Sequence, residues 1–131
     1  MDINQISECL KNELEDIELV YQFGSQAAGQ SHKNSDLDLA VKCKKTITIE
    51  RIWQLSGQLA DLAGCDVDLI DLSNASTVMR IQIVANGERL YANNKNEAAI
   101  FEDFVYSDYA ALKLNALLEK LARCLSAASL V

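Results

Sequence analysis

Apolar residues at the start of the chain recur every three or four positions: Ile3, Ile6, Leu10, Leu14 and Ile17. That spacing lines one face of a helix and predicts one over residues 2–16. The period then changes. Leu19, Val20, Tyr21 and Phe23 form a short apolar run stopped by Gly24-Ser25. A second run, opened by Asp36-Leu37-Asp38, ends at Val41. Short, bounded runs of this kind read as buried strands. A second helix is predicted over about 48–63, with Ile52, Leu55, Leu59 and Leu62 as its buried face. Gly64 stands where a left-handed C-terminal cap belongs. Trp53 lies off that stripe, as a packing or partner residue.

Residues 66–72 read as a third strand. Ser73 or Asn74 can cap a helix running to about Ala85, with Val78, Ile81 and Ala85 inward. Asn86-Gly87 turns the chain into a short edge strand, Arg89-Leu90-Tyr91. From Asn94 to about Ser126 the pattern is helical again, opened by Asn94 with Glu97 three residues on, as in a capping box. Its large side chains (Ile100, Phe101, Phe104, Val105, Tyr109, Leu112, Leu117, Leu121, Leu125) cover more of the helix than one stripe requires. Such a helix packs on two sides or carries a protein interface. The whole predicts an α/β fold, with residues 1–92 as one domain and 93–131 as a helical extension packed on it.

Composition narrows the function. The 131 residues suffice for one core but leave no separate substrate lobe. A net charge of −7 argues against a long nucleic acid as substrate, because binding many phosphates needs the opposite balance. No apolar run approaches the roughly 18 residues of a membrane span, and Met-Asp-Ile-Asn-Gln is no signal peptide. The four cysteines are scattered without a Cys-x-x-Cys pair, which predicts reduced thiols and a cytoplasmic protein.

The candidate chemistry lies between the first two strands. Side chains alternate along a strand, so Asp36 and Asp38 share a face while Leu37 and Leu39 point into the core. Their α-carbons then stand roughly 6 to 7 Å apart, close enough for both carboxylates to grip one hard cation. Two like charges on a strand face repel, and a divalent metal would offset that cost. Gly24 lets the chain turn sharply and lets a phosphate approach the backbone. Ser25 adds a hydroxyl, and a helical turn starting there would aim free N–H groups at an anion. On the third strand Asp66 and Asp68 share a face and Asp71 takes the other. Asp66 and Asp71 read as strand-end carboxylates in water. His32 and Lys33 read as an exposed loop pair, Asn34 and Ser35 as turn residues, and Lys42 to Lys45 as a solvated strand exit.

Gly24-Ser25, ten residues, then Asp36-Leu37-Asp38 resembles the signature of the DNA-polymerase-β nucleotidyltransferase superfamily, and the length resembles its minimal nucleotidyltransferases. The resemblance covers about residues 18–92. It implies a small mixed β-sheet with helices packed on it, and it makes Asp68 the third carboxylate. It also implies two Mg²⁺ ions held by Asp36, Asp38 and Asp68, with ATP as substrate and its phosphates at Gly24 and Ser25. Ala28 departs from the arginine that many members carry between these motifs. Minimal nucleotidyltransferases of this size accompany HEPN ribonucleases in toxin–antitoxin pairs. The resemblance therefore implies an antitoxin in a hetero-oligomer, transferring AMP to a toxin side chain, tyrosine. An aminoglycoside nucleotidyltransferase and a non-catalytic binding antitoxin are the alternatives.

Overall fold

The computed structural model describes residues 2–24 and 36–129. The elements are α1 (Ile3–Glu13), β1 (Ile17–Phe23), β2 (Leu37–Cys43), α2 (Ile49–Ala63), β3 (Val67–Asp71), α3 (Thr77–Asn86), β4 (Glu88–Ala92) and α4 (Lys95–Ser129). The strands form one sheet in the order β3-β2-β1-β4. β1 lies antiparallel to both β2 and β4, whereas β2 and β3 run parallel. This is the small mixed sheet with packed helices, and the long C-terminal helix, that the pattern and the resemblance together predict.

Each helix starts where a side chain can take up its free N–H groups. Asp2 accepts from Asn4, Thr48 from Arg51 and Ser76 from Met79. Asn94 accepts from Asn96 and Glu97 at the start of α4. α2 stops at Gly64, whose φ of 72° is the left-handed conformation that glycine adopts without strain. The cap of α3 is Ser76, not Ser73 or Asn74. Ile81 is buried as expected and Ile83 with it, while Val78 and Ala85 face solvent. Leu62 is likewise 48% exposed, in the last turn of α2. α1 ends at Glu13, and Ile17 belongs to β1.

Strand alternation sorts the core into two layers. Leu37, Leu39, Val41 and Cys43 of β2 face α1 and α2, and there meet Ile6, Leu10, Leu55 and Leu59. Ala40 faces the other way, into a second cluster with Leu19, Tyr21, Leu72, Ile83 and Ala98. A register shift between Ile17 and Leu19 lets Ile17 and Val20 both reach the first layer while Leu19 reaches the second. The Tyr21 hydroxyl donates to Glu102 at 2.6 Å, and burial, then that carboxylate, pushes its pKa up. Glu102 also pairs with Arg89 at 3.0 Å, which ties the first half of α4 to β1 and β4.

The second half of α4 differs in exposure. Ala98 and Val105 are buried, but every residue from Ala110 to Ala128 is exposed, including six leucines. Of the two options for this helix, packing on two sides fails, because the domain ends before the helix does. All four cysteines are free thiols, and burial, then Asp16, pushes Cys43 up to about 12. No helix among the described residues is long and apolar enough to cross a membrane.

Candidate active site

The layer that contains Ala40 is apolar at one end only. Along β2 the same face carries Lys42, Ala40 and Asp38, and across the sheet their partners on β1 are Leu19, Tyr21 and Phe23. Towards the start of β2, therefore, apolar residues give way to acid. On the other side Asp38 is paired in register with Asp68 of β3. In-register neighbours on parallel strands project to the same face, with backbones about 4.8 Å apart. Asp36 precedes Asp38 by two residues, at the mouth of the strand. The three aspartates thus occupy one end of one face.

Their charges interact. The Asp38 carboxyl is half-buried, and its pKa is raised by burial first, then by Asp68, then by Asp36. Low exposure and like-charged neighbours both disfavour the ionised form, the usual signature of a cation site or a carboxylate pair sharing a proton. Among the described residues no three such donors already close around a single point. The donor set nevertheless fits a hard divalent cation, because carboxylate oxygens are its preferred ligands and its charge would relieve their repulsion.

Gly24 ends β1 directly against this cluster. Its φ is 79°, where side chains are strained, and a Cβ there would run into the Asp38 carboxylate. Glycine is required on both counts, and its backbone stays open beside the acids. Ser25, Ala28, His32, Lys33, Asn34 and Ser35 lie outside the described residues.

Three sequence readings need revision or completion. Asp71 does not sit in water: it is 9% exposed on the opposite face and accepts from Ile47 N–H, Ser73 N–H and the Asn74 amide. It pins the loop before α2 and the turn after β3 to the sheet. Alternation revealed its face, but not that a loop would fold over it. Lys42 is not a solvated exit either. It pairs with Glu18 at 2.6 Å and lies 5.6 Å above the Phe101 ring, committed to the seam with α4. Asp66 is exposed as expected, and its carbonyl accepts from Leu37 at 2.9 Å, which locks the entry of β2 to β3.

Paired carboxylates on adjacent strands, beside a glycine that ends a third, are suited to holding metal against a phosphate chain. A family model described as polymerase beta, nucleotidyltransferase, matches residues 4–96. The chain belongs to this family. Among its relatives, this nucleotidyltransferase is 37% identical over 94 residues to the protein adenylyltransferase MntA of Shewanella oneidensis, covering 72% of this chain and 68% of that one. It also resembles a chain in a crystal structure of a toxin–antitoxin with AMP-PNP, at 32% identity and a TM-score of 0.83, covering 92% and 98% of the two chains. A structure of tri-AMPylated Shewanella oneidensis HEPN toxin in complex with MNT antitoxin matches at 30% identity and a TM-score of 0.76, covering 90% and 93%. Coverage of nine-tenths carries the likeness past residue 96 and into α4.

Proposed function

We propose that this nucleotidyltransferase is a cytoplasmic antitoxin that neutralises a HEPN ribonuclease toxin by moving AMP from ATP onto a toxin tyrosine. The observation that carries the reading is Asp38 set in register against Asp68, with Asp36 and Gly24 beside them. Similarity to MntA, a protein adenylyltransferase, supports the choice of a protein as acceptor.

Asp36, Asp38 and Asp68 are the residues that would hold magnesium, two ions in this reading, and the bound metal would neutralise charge on the transferred phosphoryl group and on pyrophosphate. Asp38, between the other two, is the residue whose loss most disrupts the set. Gly24 leaves the strand end open for the triphosphate to approach the backbone, and Ser25 adds a hydroxyl donor to the β- and γ-phosphates. Asp68 orients the attacking tyrosine and takes up its proton on a carboxylate oxygen. The tyrosine oxygen bonds to the α-phosphorus as the bond to the bridging oxygen breaks, and pyrophosphate departs. Most of the rate gain is positioning and charge neutralisation.

The exposed leucines of α4 supply a surface on which a second protein can be held. Residues 1–92 then act as the catalytic domain and residues 93–131 as the extension that retains the partner.

Incubation of the purified chain with labelled ATP, Mg²⁺ and its cognate HEPN toxin tests the proposal. Label on a toxin tyrosine is the expected result. Label found only on an added aminoglycoside, or a tight complex with no transfer, would replace it with the corresponding alternative.

A further inference from the structure

The outer face of α4 carries a pattern that the domain does not use. α4 rests on the domain through Ala98, Phe101, Glu102 and Val105, which are buried or half-buried. On the opposite side Ile100 and Phe104 are exposed, and they open a row that continues through Leu114, Leu118, Leu121 and Leu125. Ser107 and Ala111, both exposed, fill the turns between, so the steps alternate four and three without a break. That alternation keeps a row of residues on one line along the helix, the pattern of a helix packed against other helices.

The uncharged surface is wider than this row. Ala110, Leu117 and Cys124 follow at seven-residue steps on one flank, and Asn115 and Ala122 on the other, all exposed. From Ser107 to Ala128 neither the row nor its flanks holds a charge, because Lys113, Glu119, Lys120 and Arg123 lie on the back of the helix. Between Ile100 and Leu125 the strip is about 39 Å long, and half the girth of a helix about 10 Å wide makes it roughly 600 Å². A stable complex takes about 800 Å² from each partner, so the strip is most of an interface.

Its width decides what covers it. A single helix, a second copy of α4 included, shields the central row of a coiled-coil seam and leaves the Leu117 or the Ala122 flank in water. Two adjacent helices shield the row and both flanks, as neighbours do around a bundle helix. Lys113 and Lys120, also seven residues apart, border the Leu117 flank in a chain whose net charge is −7. Cations at that rim suit a partner helix that carries carboxylates. We propose that the HEPN toxin grips α4 in a groove between two of its helices, with Leu118 on the groove floor, Leu117 against one wall and an acidic rim beside Lys113 and Lys120. The inference rests on the antitoxin reading above and adds the shape and charge of the toxin surface that the helix enters.

Calorimetric titration of the cognate toxin without ATP tests this, because binding is then read apart from transfer. Wild type is compared with Leu118→Glu, Leu117→Glu and, on the back of the helix, Leu112→Glu. All three leucines are exposed and glutamate is a good helix former, so the variants should fold, which circular dichroism checks. The Kd is expected to rise tenfold or more for Leu118→Glu and Leu117→Glu, and less than twofold for Leu112→Glu. Lys113→Glu combined with Lys120→Glu should raise it threefold or more, an effect that high salt removes. An unmoved Kd in Leu118→Glu overturns docking on this face, as does an equal loss in Leu112→Glu. An unmoved Kd in Leu117→Glu overturns the two-helix groove, and one in the lysine double variant overturns the acidic rim. A homodimer in analytical ultracentrifugation that Leu118→Glu dissolves while the toxin Kd holds would assign the face to a second copy instead. If wild type binds toxin but labels nothing, the transfer reading fails and the groove stands. If wild type binds no toxin, the groove is overturned whatever is labelled.

Discussion

Asp71 and Asp38 lie on adjacent strands, three register steps apart, the first buried and the second half-buried, and the fold treats them in opposite ways. Asp71 has three donors directed at it, two backbone N–H groups and one amide. Its charge is met by the chain, so it acts as a clasp. Asp38 has carboxylates for neighbours, and the raised pKa records the cost of keeping it charged there. A carboxylate satisfied by its own protein belongs to the architecture. One surrounded by more acid belongs to whatever cation the site takes up.

Substitution breaks this contrast most sharply. Asp38→Ala is expected to lower AMP transfer by at least about 10²-fold while the circular dichroism spectrum and melting midpoint hold. A folded Asp38→Ala variant that still labels the toxin would end the metal-site role. Asp71→Ala should do the reverse. It leaves the buried Ile47 N–H without its acceptor, and a urea melt should show a loss of about 1–3 kcal/mol. Transfer per folded molecule should remain near wild type. If Asp71→Ala instead stopped transfer in a fully folded protein, the division between clasp and catalyst would be wrong.

Magnesium sharpens the comparison. A cation that binds the native acids and not the unfolded chain stabilises the fold by mass action. Added Mg²⁺ should raise the melting midpoint of wild type and of Asp71→Ala by similar amounts and leave Asp38→Asn unmoved. The smallest effect is in pH. A carboxyl whose pKa is raised on folding is held more tightly as the protonated form in the native state, so its contribution to stability is present at low pH and lost as pH rises through the folded value. In metal-free buffer, Asp38→Asn should therefore melt no lower than wild type near pH 7, with its advantage shrinking as the pH falls towards about 4. Thermal melts across that range measure it. An advantage that grew on acidification would contradict the sign.

What could be read without coordinates was periodic or local. The 3.6-residue stripe of α1, the alternation of Leu37 and Leu39 with Asp36 and Asp38, and the glycine after α2 each follow from backbone geometry that neighbours in sequence share. Gly24-Ser25 and Asp36-Leu37-Asp38 pointed to nucleotide chemistry through their resemblance to a family signature. Misreadings came where distant segments compete. Val78 and Leu62 looked inward by period, but the way each helix is laid on the sheet leaves them exposed.

The chain alone determined its elements, the faces they present and the type of chemistry its acids can support, because those depend on residues within a turn or a strand pair of one another. Only the tertiary structure decided that β2 and β3 are in register at Asp38 and Asp68 and that a loop closes over Asp71. Those are contacts between segments tens of residues apart. Their geometry is set by how the whole sheet packs, and no local rule encodes it.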